Sequence, residues 1–170
     1  ALATGASWHE AHRGTNAIGT AIAEMSPVEI HGAEHFLERN GFLTCAAAPI
    51  MSSVGTVAGI LDISGEQHKG HPMTLGLVST AARMIENRLI VANSRRLQRL
   101  HMHAHAEGIG TVAEGIVVLN EDGWIVGANQ RALAMLQLSS QAIGKTQIAS
   151  LLALRLSDLL ARHQRHPGQS

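Results

Sequence analysis

The chain has 170 residues, and its 13 Lys and Arg residues are balanced by 13 Asp and Glu residues. This balance excludes the net positive field that attracts nucleic acid or an anionic membrane surface. Aromatic residues make up only 2% of the sequence, so a core must be built from Ala, Leu, Ile and Val. The single cysteine excludes an internal disulfide and fits a reducing compartment. No apolar run has the length of a membrane span, and we expect a cytoplasmic protein.

The first part of the chain predicts a helix followed by a strand and a hairpin. The Thr15 hydroxyl is suited to cap a helix that begins at Asn16, and Ser26-Pro27 ends this helix near Met25. Apolar residues lie on both faces of the hairpin, which predicts a central position in a sheet. The elements predicted after the helix are a strand over Val28–His31, a short helix over Glu34–Arg39, a strand over Leu43–Ile50, a turn over Met51–Gly55 and a strand over Thr56–Ile63.

A long helix follows, and we predict that it runs from Pro72 to about Met102. Its apolar residues have the 3-4-3-4-3 spacing of a heptad seam. Such a seam can pair with a second copy, so the spacing predicts a homodimer. The alternative is one stripe buried within the chain beside a solvated basic face. The seam consists of Leu75, Val78, Ala82, Ile85, Leu89 and Ala92.

Two short strands and a capped helix predict a second domain that begins near Glu107. The Asp-Gly pair between the strands is typical of a β-hairpin, and Asn129 is suited to cap the helix that follows. The order of these elements resembles the start of a PAS domain, and Gly144-Lys145 fits the break before the next helix of such a domain. The elements are strands over Gly115–Leu119 and Trp124–Ala128, a turn over Asn120–Gly123 and a helix over Gln130–Leu136.

Several short motifs occur in the order found in the second half of a GAF sensor domain. Across Ser7–Leu97 the chain resembles activators similar to the acetoin catabolism regulator, which work with the sigma-54 form of bacterial RNA polymerase. The order of a GAF domain and then a PAS domain agrees with the same family. The motifs are Gly14-Thr15-Asn16-Ala17-Ile18-Gly19-Thr20, Val28-Glu29-Ile30-His31-Gly32-Ala33-Glu34-His35-Phe36, Leu43-Thr44-Cys45-Ala46-Ala47-Ala48-Pro49-Ile50 and Gly59-Ile60-Leu61-Asp62-Ile63-Ser64-Gly65.

The resemblance implies an α+β fold with a GAF-like antiparallel sheet, flanking helices, a long connecting helix and a partial PAS-like domain. It divides the chain into a GAF-like domain over 1–96, a helical linker over 97–106 and a PAS-like domain over 107–170. Family GAF domains begin with elements that should lie before Ala1, and PAS domains end with strands that should lie after Ser170. We therefore expect a fragment of a longer activator or a naturally abbreviated relative.

The resemblance also implies a pocket for a small-molecule effector between the sheet and the helices that cover it. Small side chains on the Leu43–Ile50 strand leave room for a ligand; the alternative is that they only allow close helix packing. Neither a metal nor a cofactor is predicted. The implied ligand-binding residues are Thr15, Asn16, Thr20, Thr44, Cys45 and Ala47.

Three patterns partly match known functional sites: a phosphate-binding loop, a metal site and a reactive thiol. Gly144-Lys145-Thr146 lacks the earlier glycine and the preceding buried strand of a phosphate-binding loop. His101 and His105 share one face of the predicted helix, but a transition-metal site needs further ligands. Cys45 has no basic neighbour in the sequence to activate its thiol. A buried, structural thiol is therefore the simpler interpretation.

The titratable residues Asp62, His31 and Glu34 have no spacing that brings them together as an acid–base set. The resemblance to a sensor domain, together with the incomplete catalytic patterns, implies a ligand-sensing, dimerising regulatory region and not an enzyme. The alternatives are the GAF–PAS sensor of a histidine kinase, a redox enzyme that uses Cys45, a metal enzyme that uses the histidines, and an oligomerisation module without a pocket. The expected partners are a small-molecule effector and a second copy of the chain, without direct contact to nucleic acid or membrane.

Overall fold

The computed structural model describes residues 3–67 and 71–152. The chain divides into two compact units. The first comprises the described residues up to 50 and from 57 to 85; the second comprises 51–56 and the described residues from 86 onward. Both contain antiparallel strands with flanking helices, which confirms the predicted α+β class. Within the described ranges, no helix combines the length and the apolar character needed to cross a bilayer.

The first unit is built on a three-stranded sheet with the order β1-β2-β3. β1 pairs with β2 in antiparallel fashion, with Ile30 opposite Cys45 and His31 opposite Thr44. The predicted turn joins β2 to β3, because the Ser52 N–H donates to the Thr56 carbonyl over 2.7 Å. The elements are α1 (Glu10–Arg13), α2 (Ala17–Glu24), β1 (Val28–His31), β2 (Leu43–Met51), β3 (Val57–Glu66) and α3 (Thr74–Asn93), whose last residues belong to the second unit.

Asn16, and not Thr15, caps α2. The Asn16 backbone is extended, and its side-chain oxygen accepts the Gly19 N–H over 2.9 Å. Its amide group donates to the carbonyls of Trp8 and Gly14 over 2.9 and 2.8 Å. The predicted Thr15 cap is therefore wrong by one residue, because the side chain that reaches the third helical N–H belongs to Asn16.

The short helix predicted over Glu34–Arg39 is also wrong. Two 3₁₀ turns, Gly32–Glu34 and Glu38–Asn40, occupy this segment. The Glu34 carboxylate accepts the backbone N–H of His31 over 2.7 Å, as in a capping box. This local hydrogen bond fixes a single tight turn directly after β1, so no regular helix follows.

The pleat of β2 gives the two faces of the first sheet different helical partners. Successive side chains of a strand point to opposite faces, and consecutive alanines of β2 accordingly enter different apolar clusters. The α2-facing cluster contains Ala17, Ala21, Ile30, Cys45 and Ala47; the α3-facing cluster contains Ala46, Ala48, Val78 and Ala82.

The first part of the predicted heptad seam packs within the chain. Val78 and Ala82 are buried against the sheet, and the partly buried Leu75 packs beside them. The seam is therefore wrong as a pairing surface over this stretch. Its spacing correctly identified an apolar helix face, but the sheet of the same chain already covers that face.

The long helix ends at Asn93 and does not reach Met102. The Ser94 hydroxyl donates back to the Ile90 carbonyl over 2.6 Å, and a turn closes from Ser94 to Leu97. Residues Gln98–Met102 then form β4, in which the half-buried Leu100 and Met102 alternate with exposed residues. Their period of two is that of a strand, so the helical linker predicted over 97–106 is wrong.

The second unit contains a three-stranded antiparallel sheet with the order β4-β5-β6. The predicted hairpin turn is present: the Gly123 N–H donates to the Asn120 carbonyl over 3.0 Å, and Gly123 has the positive φ of 79° that favours glycine. The elements of this unit, besides the end of α3, are β4 (Gln98–Met102), β5 (Gly115–Leu119), β6 (Ile125–Ala128), α4 (Gln130–Met135) and α5 (Ile148–Leu152).

Asn129 caps α4 as predicted and also holds the second unit together. Its side-chain oxygen accepts the N–H groups of Ala132 and Ile116 over 2.8 and 2.9 Å. Its amide donates to the Glu114 carbonyl over 2.9 Å and to the Asn87 side-chain oxygen over 2.8 Å. One buried side chain thus joins the end of α3, the start of β5 and the first turn of α4.

The hairpin tip 51–56 belongs to this unit as well. The Ala128 N–H donates to the Ser53 carbonyl over 2.8 Å, and the Glu86 carboxylate accepts the Met51 N–H over 2.7 Å.

Val78 and Thr80 provide a test of how α3 is oriented. Val78 is fully buried against the first sheet, whereas Thr80 is exposed on the same helix. We expect Val78→Ala to lower the free energy of unfolding by about 2 kcal/mol, since it leaves a cavity. Thr80→Ala should change it by less than about 0.5 kcal/mol. Urea unfolding measures both, and equal losses would contradict the assigned helix face.

Candidate functional site

A polar cluster lies on the α2-facing side of the first sheet, among otherwise apolar side chains. The Ser64 hydroxyl donates to one carboxylate oxygen of Asp62 over 2.7 Å and lies 3.2 Å from the Cys45 sulfur. Asp62 and Ser64 are two residues apart on β3, so their side chains share a face. Cys45 belongs to the α2-facing cluster, which places all three groups on that side of the sheet.

The second carboxylate oxygen of Asp62 is buried and has no hydrogen-bond partner among the described residues. Burial raises the pKa of Asp62, while the hydrogen bond from Ser64 and attraction to His35 lower it in part. An unpaired carboxylate oxygen away from water is costly to the folded state. Such groups concentrate at binding and catalytic sites, which makes Asp62 the leading candidate for a functional residue in this unit.

The Cys45 thiol is not activated. Burial raises the pKa of Cys45, and the negative charge of Asp62 raises it further. A thiol with a raised pKa is protonated at neutral pH and is a poor nucleophile. The local environment therefore argues against the redox-enzyme alternative and for a thiol that packs and forms hydrogen bonds.

The residues implied as ligand-binding do not lie on one surface. Cys45 and Ala47 face α2, whereas Thr44 lies on the opposite side of the pleat and its hydroxyl bonds His31 Nδ1 over 2.7 Å. Thr44 and Cys45 therefore do not share the cavity that was expected of them.

The α2 residues of the implied set mostly serve local structure. Asn16 uses its side chain to cap α2, and the Thr20 hydroxyl donates to the Glu10 carboxylate. Thr15 is exposed and contributes a carbonyl to the Phe36 N–H. Of the six implied residues, Cys45 and Ala47 lie in the same apolar cluster, against Ala17 and Ala21 of α2.

No spacing in the sequence brought His31 to Asp62, and in the structure His31 bonds Thr44 and, through Nε2, the Gln67 amide over 3.2 Å. His35 is the histidine whose charge acts on Asp62. Ser64 lies two residues from Asp62 on the same strand, so alternation alone places them on one face. Only the proximity of Cys45 and His35 depends on the fold.

The histidines after α3 do not lie on one helix face, because His101 is in β4 and His105 follows that strand. His101 Nδ1 bonds the buried Glu114 carboxylate over 3.0 Å, and the same oxygen accepts the Gly110 N–H over 2.8 Å. Across residues 3–67 and 71–152, no group of three or more His, Cys, Asp or Glu side chains is arranged to hold a metal ion.

Comparison with known families identifies the family of the first unit. The family described as the N-terminal domain of MimR matches residues 1–87. The chain belongs to the MimR N-terminal domain family. The matched segment ends near residue 85, where the first compact unit ends.

Two curated relatives of this MimR-family chain are regulators. It is 36% identical over 140 residues to the acetoin catabolism regulatory protein of Cupriavidus necator. This match covers 80% of this chain and 21% of the relative. It is 32% identical over 149 residues to a signal-transduction and transcriptional-control protein of Clostridium beijerinckii. This match covers 87% of this chain and 23% of the relative. The chain thus spans about a fifth of each relative. These regulatory names agree with the expectation that it is not an enzyme.

Among solved structures, the chain is similar to the crystal structure of the E. coli DhaR(N)–DhaL complex. The TM-score is 0.48 at 21% sequence identity, and the match covers 92% of this chain and 54% of the other.

Replacing Asp62 tests the cost of its buried carboxylate. Because the pKa of Asp62 is raised, the folded state holds the proton more tightly than the unfolded chain does. Its contribution to stability is therefore fully present below the ordinary aspartate pKa and is lost as the pH rises through the raised value. We expect Asp62→Asn to be more stable than the parent protein at neutral pH by about 1 kcal/mol, and this difference should vanish near pH 3, below the ordinary aspartate range.

Urea unfolding at the two pH values measures this difference. Asp122→Asn, at an exposed turn position, is the matched control and should alter stability little at either pH. A neutral-pH loss of stability in Asp62→Asn would contradict the assigned environment.

Proposed function

We propose that this chain is the sensor region of a sigma-54-dependent transcriptional activator of the acetoin catabolism regulator type, acting in the bacterial cytoplasm. On this proposal the first unit is a GAF-like domain that binds a small metabolite, and the second is PAS-like. The observation that carries it is the match to a family of regulator N-terminal domains over the unit that contains the Asp62 cluster. The similarity to an acetoin catabolism regulatory protein supports the pathway type.

The α2-facing side of the sheet is the proposed ligand surface. It combines apolar side chains, which include Ile30 and Ala47, with the convergent polar groups of Asp62, Ser64 and Cys45. A mostly apolar surface with a few placed polar groups is what small-molecule sites in proteins provide. Regulation needs only that the ligand prefers one state of the protein, so no catalytic group is required.

Thermal unfolding in the presence of separate small metabolites tests the sensor proposal. The compounds should include hydroxyketones, diols, ketones, alcohols and dicarboxylates of three to five carbons. A ligand present at 100 times its Kd stabilises the folded state by about 2.7 kcal/mol, which raises the Tm by several degrees in a domain of this size. If no compound raises the Tm at millimolar concentration, the sensor proposal fails.

The proposed homodimer uses the exposed face of α3 and not the predicted seam. Leu77, Met84 and Val91 follow one another at intervals of seven residues and are 62, 49 and 37% exposed. Met73 precedes them and is 73% exposed. An identical helix presents the same interval, so the exposed stripe is complementary to itself in the manner of a two-stranded coiled coil. A second copy is therefore the proposed occupant of this stripe.

Charge substitution in this stripe tests the dimer. We expect the parent chain to have the mass of a dimer in light scattering and the double variant Leu77→Asp/Met84→Asp to have that of a monomer, because the substitutions place carboxylates in the paired surface. Val54→Asp introduces one carboxylate at an exposed apolar residue of the hairpin tip, outside the stripe, and should remain dimeric. A monomeric parent chain, or a folded double variant with unchanged mass, would contradict the proposed pairing.

A further inference from the structure

We infer that the hairpin tip 51–56 couples the folding of the second unit to that of the first, so that a change in the first sheet reaches β6. The tip is part of the second unit, whereas β2 and β3, which lead into it and out of it, belong to the first apart from Met51. This inference goes beyond the proposed sensor function, because such coupling holds with or without a bound ligand. The juxtaposition that carries it is a turn that is shaped by first-unit strands and forms hydrogen bonds within the second unit.

The first attachment of the tip is to α3. The Glu86 carboxylate accepts the Met51 N–H over 2.7 Å, and both residues are buried. Hydrogen bonds from a backbone N–H to a carboxylate are stronger than those between neutral groups. Met51 is the last residue of β2, and Glu86 is the first residue of α3 that belongs to the second unit. This bond therefore fixes the end of a first-unit strand inside the second unit.

The second attachment is to β6, which lies at the edge of the β4-β5-β6 sheet. The Ala128 N–H donates to the Ser53 carbonyl of the tip over 2.8 Å. Farther along β6, the Ile125 N–H and carbonyl bond Thr146 and Gly144 over 2.9 and 2.7 Å, so these partners also lie outside β5. Backbone groups at a sheet edge need partners when they are withdrawn from water. The tip supplies the partner that the segment around Gly144 leaves open at Ala128.

Glycines let the tip lie directly against the second unit. A Cβ atom added at Gly127 of β6 would lie 3.1 Å from the Ser53 Cβ atom, and one added at Gly55 would overlap the Ser140 Cβ atom. Gly55 also has a positive φ of 82°, which favours glycine. The contact thus has no space for a larger side chain on either side of the tip.

Only paired strands keep the tip in shape. Within it, the Ser52 N–H donates to the Thr56 carbonyl over 2.7 Å and the Gly55 N–H donates to the Ser52 carbonyl over 3.0 Å. An isolated two-stranded hairpin is at best marginally stable in water, so these bonds do not maintain the turn once β2 and β3 separate. Opening of the first sheet should then remove the partner of the Ala128 N–H. The competing route is α3, because this helix also continues from one unit into the other.

The two tryptophans of the chain allow each unit to be followed separately, since Trp8 is in the first unit and Trp124 is in the second. Trp124→Phe and Trp8→Phe leave one fluorescent reporter each for urea unfolding at one protein concentration. We expect the two unfolding curves to coincide, as they do when a protein unfolds in one cooperative step. Val78→Ala, in the first unit, should lower both midpoints by the same amount, about 1 M urea.

Gly127→Val separates the tip from α3 as the route of coupling, because its side chain displaces Ser53 and leaves α3 unchanged. In this background the two curves should separate, and Val78→Ala should shift the Trp8 midpoint alone. Gly127→Ala is the milder variant and should reduce the shift of the Trp124 midpoint if the valine variant leaves no folded second unit. Gly65→Val is the matched control on β3, where an added Cβ atom has open space, and its two curves should still coincide.

Two results would overturn the inference. Separate curves for Trp8 and Trp124 without any change at Gly127 would show that the units unfold independently. A Trp124 midpoint that still moves by the full amount with Val78→Ala in both Gly127 variants would show that α3 carries the coupling. The sensor proposal is unaffected by either result, because no ligand enters the experiment.

Discussion

The pairing of β1 with β2 fixes which side chains of the first unit meet which helix. Ile30 opposite Cys45 and His31 opposite Thr44 define a register in which neighbouring residues of β2 face different helices. A slip of β1 by one residue would turn Ile30 out of the cluster that contains Cys45. The run of alanines in β2 has one explanation: small side chains on both faces of the strand let α2 and α3 approach it closely.

Asp62 is an ionisable residue beside the apolar cluster on the α2-facing side of the sheet. It shares its face of β3 with the apolar Ala58 and Ile60 and with the polar Ser64 and Glu66. Its polar surroundings also include Cys45 and His35. A leucine at this position would satisfy packing without a desolvation cost. A residue that lowers stability and breaks the local pattern is typical of a functional position.

The elements that the sequence predicted well are those fixed by local interactions. The Asp-Gly hairpin and the Asn129 cap depend on residues within a few positions of one another, and both were correctly predicted. The helix α3 was correctly identified by its apolar period, but periodicity does not reveal what an apolar face contacts. Val78 therefore appeared as a pairing residue although it packs on the sheet of its own chain.

The errors arise where distant residues decide the structure. β4 is a strand because it pairs with β5, with Leu100 opposite Val117. β4 has only five residues, and so short an alternating pattern is hard to distinguish from the end of the long helix that precedes it. The neighbours of Asp62 likewise depend on strand register, and a short linear motif does not specify that register. Cys45 and Ala47 share a face because they lie two apart on one strand, and the implied grouping of Thr44 with Cys45 ignored this alternation.

The two faces of the first sheet constrain how a bound ligand can act. The proposed ligand surface is on the α2 side of the sheet, whereas α3 packs on the other side against Ala46 and Ala48. Within this unit, an effect on α3 must pass through the strands themselves, where side chains of adjacent residues face the ligand surface and the helix. The proposed ligand binding and the proposed pairing of α3 with a second copy can be coupled only through a difference in ligand affinity between the monomer and the dimer. A ligand that binds both states equally well transmits no signal, however tightly it binds.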